Sequence, residues 1–182
     1  MIPSASRLRQ PPILQVVDGF RLPEQGHRHD SVVRMPGSNR PPLDVVGQLA
    51  SALDADDFDT LRSLLHPDVL YRIGTQVHRG QDAVIKSYSA GSALARELFD
   101  HVVFDHTVLG LVGDRTVRVD FSDRLEAAGA VFDHHSVQDV EVDDDGSVVV
   151  IVDQPVVGQR ERLDAFMEKH GLTRPSAEPP AT

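Results

Sequence analysis

The order of its elements constrains this chain more than any single residue does. Between Leu43 and Leu172 two short amphipathic helices come first, then a strand, a longer helix and four strands in close succession. Val46, Leu49, Ala50 and Leu53 recur at helical spacing, and Phe58, Leu61, Leu64 and Leu65 make a second, shorter stripe. Asp57 is the candidate N-cap of that second helix, and Pro67 stops it. Val69, Tyr71 and Ile73 alternate with Leu70, Arg72 and Gly74, which is a strand pattern. Gly80-Gln81-Asp82 then opens a helix running to about Phe99, with Val84, Ile85, Tyr88, Ser92, Ala95 and Leu98 as its stripe. Gly91 interrupts it at a cost of about 1 kcal/mol, which close packing against a sheet would explain. Strands follow near 101–111, 115–123, 131–142 and 147–154, with tight turns at Gly113-Asp114 and Asp143-Asp144-Asp145-Gly146. A last helix spans about 160–170, with Leu163, Phe166 and Met167 inward and Gly171 as its cap. Such an order describes an α+β unit: a curved mixed sheet wrapped around helices, with a pocket between them.

The flanks are different in kind. Residues 1–42 hold seven prolines, which fix φ and remove donors, so the region reads as an extended arm. Two short segments within it, Ile13–Val17 and Ser31–Met35, could pair as edge strands. The arm carries a balance of +3, and the remainder of the chain −13, within a net charge of −10. An acidic domain repels phosphate backbones, which argues against a nucleic-acid partner. With no cysteine there is no disulfide, thiolate nucleophile or cysteine-bound metal. The opening residues lack the apolar run of a signal peptide, and no stretch approaches a membrane span, so the expected compartment is the cytoplasm. The organisation expected is an arm over 1–42, a folded domain over 43–172 and a disordered tail over 173–182.

Alternation assigns each strand an inner and an outer face. Val102, Phe104, His106 and Val108 share one face, leaving His106 alone among hydrophobes. Val117, Val119 and Phe121 share another. In the third strand Phe132, His134, Ser136, Gln138, Val140 and Val142 lie opposite the acidic set Asp133, Asp139 and Glu141. The acidic set belongs in water, so His134, Ser136 and Gln138 point inward. A few convergent polar groups on apolar walls are what a small-molecule pocket requires. A buried neutral histidine can act as a general base near neutral pH. The plainer reading makes His106 and His134 core histidines satisfied by backbone carbonyls, and Tyr71 core filler with its hydroxyl at the cavity mouth. His27 and His29 share one side of an extended segment, but a loop pair with only Asp30 nearby is usually incidental, and no metal is expected. Three adjacent aspartates at 143–145 lack the spacing of a calcium loop. Phosphate loops and nucleophile elbows are absent.

The run from Val45 to Leu65 resembles the opening of nuclear-transport-factor-two-like domains. So do His66-Pro67-Asp68-Val69-Leu70-Tyr71 and Arg79-Gly80-Gln81-Asp82-Ala83-Val84, and the closing Asp139-Val140-Glu141-Val142-Asp143-Asp144-Asp145-Gly146 is similar to that family's final hairpin. The resemblance covers roughly 43–155. It implies a cone: a curved mixed sheet packed on three helices. It also implies the family's range of activities, which includes ketosteroid isomerases, SnoaL-like polyketide cyclases, epoxide hydrolases, dehydratases and non-catalytic binding or dimerising modules. Most act without a cofactor, and many are dimers through the outer sheet face. The isomerase residues do not carry over: the hydroxyl donor falls at Leu49, the base at Ile73 and the second acid at Gln138. The cyclase branch implies an acid–base aspartate at Asp139. Alternation turns Asp139 outward, and a bulge near Val137 would reconcile the two.

The expectation is a cofactor-free isomerase, cyclase or dehydratase acting on a small apolar substrate, as a homodimer. His134 is the expected base, with His106 as its partner and Tyr71 and Gln138 bonding a developing oxyanion. Ser136, Phe121, Tyr88 and Asp139 complete the expected substrate site. The alternative is a non-catalytic ligand-binding or dimerisation module, favoured by the apparent lack of carboxylates on the inward face.

Overall fold

A computed structural model describes residues 40–173. The arm segments Ile13–Val17 and Ser31–Met35, the His27/His29 pair and the tail lie outside the described residues.

The chain builds α1 (Pro42–Asp54), α2 (Phe58–Leu64), β1 (Leu65–Ile73), β2 (Gln76–Arg79), α3 (Gln81–Leu98), β3 (His101–Val103), β4 (His106–Leu111), β5 (Thr116–Ala127), β6 (Ala130–Val142), β7 (Val148–Gln154) and α4 (Gln159–Lys169). The seven strands form one mixed sheet in the order β2-β1-β7-β6-β5-β3, with β4 also pairing β5. Only β1 and β7 run parallel; every other pair is antiparallel. The architecture is the α+β arrangement expected from the element order, with the mixed sheet that the resemblance implies.

Local chemistry sets the elements. Asp57 caps α2, accepting from the Thr60 amide at 3.0 Å and the Thr60 hydroxyl at 2.6 Å. The helix ends at Leu64, before the residue that precedes Pro67, because the proline ring disfavours helical backbone there. Pro67 then sits inside β1, where the β1–β7 register shifts between Leu65 and Leu70. A residue without an N–H belongs at such an irregularity. Gly80 has φ +81, and a Cβ there would sit 3.4 Å from the Pro67 carbonyl, so glycine is required where β2 turns into α3.

Three expectations change. The single strand over 101–111 is two strands, broken at Phe104 and Asp105, where the Ser122 amide donates to the Asp105 carbonyl. A short strand, β2, pairs with β1 in a region read as connection. Gly91 is not explained by close packing: a Cβ there would meet nothing within 4 Å.

The main core lies between the inner sheet face and α1–α3, with Val46, Leu49, Leu61, Val69, Val84, Val119, Val140 and Ile151 at its centre. A second cluster seats α4 through Leu163, Phe166 and Met167 against Phe99, Val102, Leu125 and Phe132. Burying these faces, at roughly 25 cal/mol per Å² of apolar surface, holds the helices against the sheet. It also fixes which side chains look inward.

Candidate active site

Four polar side chains meet on the inner face. Tyr71 comes from β1, Tyr88 from α3, Gln138 from β6 and Asp153 from β7. Gln138 and Asp153 face each other directly across the β6–β7 ladder, and Tyr71 stands opposite Ile151 across β1–β7. The Gln138 amide nitrogen donates to Asp153 Oδ1 at 2.8 Å and to the Tyr71 hydroxyl at 3.1 Å. Its carbonyl oxygen accepts from the Tyr88 hydroxyl at 2.9 Å. The Tyr71 hydroxyl donates to the Asp153 carboxylate at 3.2 Å and 3.3 Å. The two tyrosine rings stack with centroids 4.8 Å apart and planes 10° from parallel. Tyr71 and Gln138 are each 4% exposed.

This burial reshapes the acid–base chemistry. Desolvation pushes the Asp153 carboxyl up to about 6, against the opposing pull of hydrogen bonds from Gln138 and Tyr71 and the charge of His134. Desolvation also raises both phenols, Tyr71 with added repulsion from Tyr88 and Asp153. The site therefore holds a carboxylate that is a stronger base than usual beside hydroxyls that stay protonated.

Two histidine–aspartate pairs lie nearby, one a rung of the β5–β6 ladder and the other joining β4 to α1. His134 stands opposite Asp123 in the β5–β6 ladder, with Nδ1 3.3 Å from Asp123 Oδ2. His106, at the start of β4, places Nδ1 2.5 Å from Oδ2 of Asp54, the last residue of α1. Each member of this second pair has a side chain 20% exposed. Burial raises the Asp54 carboxyl, with His106 opposing the rise. Between the Asp123–His134 rung and the tetrad lies the rung of Phe121 and Ser136, paired across β5–β6, with His106 opposite Phe121 on β4. Asp54, Asp105 and His106 bring ligand atoms within 4.8 Å of one another, although Asp105 is exposed.

The structure thus joins Tyr71, Tyr88 and Gln138 directly. It places Ser136 and Phe121 one rung away and His134 on the rung beyond. His106 contacts Asp54 rather than the tetrad. Asp139 stands on the opposite face, bonded by Arg118 at 2.7 Å and 2.8 Å. The β5–β6 register runs without a shift from Thr116 to Ala127, so no bulge turns Asp139 inward. The inward face does not lack carboxylates: Asp153 and Asp123 both lie on it. An open groove of about 560 Å³ lies elsewhere, lined by Leu43, Gly47, Gln48, Ser51 and Thr60 among others, none of them in the tetrad.

No described helix is long and apolar enough to cross a membrane. Neither a protein-family model nor a curated protein matches the chain. Solved structures do. A nuclear-transport-factor-two-like protein of unknown function from Exiguobacterium sp. 255-15 is similar at TM-score 0.50 and 17% identity, over 62% of this chain and 98% of its own. The epoxide hydrolase/cyclase-like enzyme SalBIII, tied to pyran ring formation in the polyether salinomycin, is similar at TM-score 0.52 and 10% identity, over 65% and 92%. A Mycobacterium tuberculosis protein, Rv0760c, in complex with estradiol-17beta-hemisuccinate, is similar at TM-score 0.51 and 12% identity, over 66% and 98%. The mixed sheet, the helices packed on it and these likenesses together show that the chain has a nuclear-transport-factor-two-like fold.

Proposed function

We propose that this protein is a cofactor-free enzyme of proton transfer: an isomerase, cyclase or dehydratase working on a small, largely apolar molecule. One observation carries the reading. A partly buried carboxylate on the inner sheet face, with its pKa pushed up to about 6 by desolvation, is hydrogen-bonded by a tyrosine and a glutamine. A purely structural network would be met by a neutral acceptor at 153. A carboxylate there costs folding free energy, and sites that tolerate such a cost concentrate where chemistry is done.

In this reading Asp153 takes over the role of base that the sequence alone gave to His134. Tyr71 stays protonated and lends its hydrogen bond to a developing oxyanion once substrate displaces it from Asp153. Gln138 holds both in place, and Tyr88 fixes Gln138. Phe121 and Ser136 form the floor beside them. His134 and His106 supply further protonable groups at the rim. Asp139 belongs to the outer face, where the protein forms a homodimer in this reading. The cysteine-free composition fits a cytoplasmic place of action.

Nitrobenzisoxazole tests the base without knowledge of the natural substrate. A base removes its ring C–H proton, the N–O bond breaks, the electron pair ends on the phenolate oxygen and a nitrile forms. The protein should accelerate this opening over free acetate, with a rate rising through pH 6, and Asp153→Asn should abolish it. Wild-type protein no faster than acetate would overturn the reading. The binding-module alternative is favoured by one observation: every polar atom of Gln138 already has a protein partner. It predicts saturable binding of apolar probes with no acceleration.

A further inference from the structure

We infer that Asp123 is a positioning residue that sets His134 as a second proton-transfer group, acting across the site from Asp153. The inference rests on the acid–base reading above and adds the group that answers the base.

Asp123 continues the inner-face series Val117, Val119 and Phe121 at every second residue of β5. It lies directly opposite His134, and the two side chains are 22% and 18% exposed. An ionised carboxylate can only accept, so the 3.3 Å contact places a hydrogen on Nδ1 of His134. In the neutral ring Nε2 is then the lone-pair atom, and in the doubly protonated ring it is the remaining donor. The charged groups around this pair are Asp54 on α1, whose carboxyl feels Asp123, His106 on β4 behind Asp54, and Asp153 on β7, whose carboxyl feels His134.

The rung of Phe121 and Ser136 lies between the rung of Gln138 with Asp153 and the rung of Asp123 with His134. A molecule resting on Phe121 has a carboxylate toward one end and an imidazole toward the other. Asp153 removes a proton from carbon, and the bonding pair moves through the substrate to an oxygen. Nε2 of His134 delivers a proton to that oxygen. Exchange with water restores both groups. Dehydration needs this pairing, because a base alone leaves the departing oxygen unneutralised.

Two probes separate the roles. Nitrobenzisoxazole releases a stabilised phenolate that gains little from an acid, whereas benzisoxazole itself releases a poorer leaving group. Asp123→Leu removes the acceptor from an apolar face and keeps the branched heavy-atom skeleton of the side chain. It should lower kcat on benzisoxazole at least about tenfold more than on nitrobenzisoxazole, with KM moving little. Asp123→Asn retains one acceptor oxygen and should recover part of that difference. Nitrogen NMR of the neutral His134 ring should show the Nδ1–H form in wild type and a tautomer mixture in Asp123→Leu. If Asp123→Leu leaves the ratio between the two probes as in wild type, the inference falls while the Asp153 reading stands. If wild type opens neither probe, the Asp153 reading falls and takes this inference with it.

Discussion

Two rungs of one hairpin show how a single residue step divides this protein's chemistry. Gln138 faces Asp153, and the next rung pairs Asp139 with Val152. Asp153 looks inward, and burial pushes it up to about 6. Asp139 looks outward, where Arg118 bonds both its oxygens. Both are aspartates on adjacent central strands. The pleat alone sends one to a place where ionisation costs free energy and the other to a place where ionisation is answered at once. The difference teaches that the reactive carboxylate of this sheet is set by parity and register, because side-chain type is the same in both.

The largest test of that division places a charge on either face of β6. Val140 is fully buried, and Val137 is partly exposed opposite Asp120. Val140→Lys should cost more than about 3 kcal/mol and abolish cooperative unfolding near room temperature. Val137→Lys should stay within about 1 kcal/mol of wild type, because its ammonium meets water and Asp120. Denaturant melts of the two variants measure the contrast, and similar losses would mean the faces are assigned wrongly.

Asp153→Asn comes next. It should remove about 100-fold or more of the rate on nitrobenzisoxazole. It should also stabilise the fold at pH 7.5. A raised acid pKa means the folded protein binds the proton more tightly than the unfolded chain. Its ionisation therefore penalises folding as pH rises from about 4 through 6, and the full penalty holds above that. The upper limit is on the order of 2–3 kcal/mol, reduced by whatever the asparagine loses in hydrogen bonding. The gain should shrink toward zero below pH 4, where the carboxyl is neutral in both states. Thermal melts at pH 7.5 and pH 4 read this directly, and a variant less stable at pH 7.5 than at pH 4 relative to wild type would contradict the buried charge.

How much of this was legible follows the same parity. Alternation in β6 turned His134, Ser136 and Gln138 inward and Asp139 outward, and the unbroken β5–β6 register agrees. Asp153 escaped because β7 was read only as a strand. Ile151, an apolar core residue of β7, fixes the parity, and Asp153 lies two residues on. Asp123 escaped for a similar reason, since the inner series of β5 was followed only to Phe121. Its next two members after Asp123, Leu125 and Ala127, are buried and would have carried it inward. Asp54 had no such signal. It ends an ordinary amphipathic helix, and its meeting with His106 depends on how α1 lies across β4, which no local pattern encodes. The break at Phe104-Asp105 is likewise tertiary: β3 and β4 pair with different stretches of β5.

Tyr71→Phe should have a smaller effect than loss of the carboxylate. The hydroxyl's hydrogen bond holds Asp153 below the value burial alone would set. Without it the carboxyl moves further up, so the rising limb of the nitrobenzisoxazole pH profile should shift above 6. The rate at its plateau should fall by about tenfold, less than the roughly 10²–10³ of a lost oxyanion donor in acyl transfer, because the nitrophenolate is already stabilised. Stability should change by about 1 kcal/mol, since Gln138 loses an acceptor but Asp153 keeps Gln138. A profile shifted downward would show that Tyr71 does not bond the ionised form.

The smallest effect belongs to the outer face. Asp139→Asn removes the charge that Arg118 bonds at 2.7 Å and 2.8 Å and leaves an amide of the same shape. Arg118 is raised above its usual range by that hydrogen bond and by the charge behind it, yet its side chain is 39% exposed. Water and salt answer most of what the carboxylate supplied, so the loss should be below about 1 kcal/mol and should fade in molar salt. The nitrobenzisoxazole rate should stay at the wild-type value, because the backbone between Gln138 and Asp139 is held by rungs on both sides. A large fall in that rate would join the two faces chemically. In that case Asp139, one residue out of register with the tetrad, would have to reach the reacting atoms from the side of the sheet that alternation assigns to water.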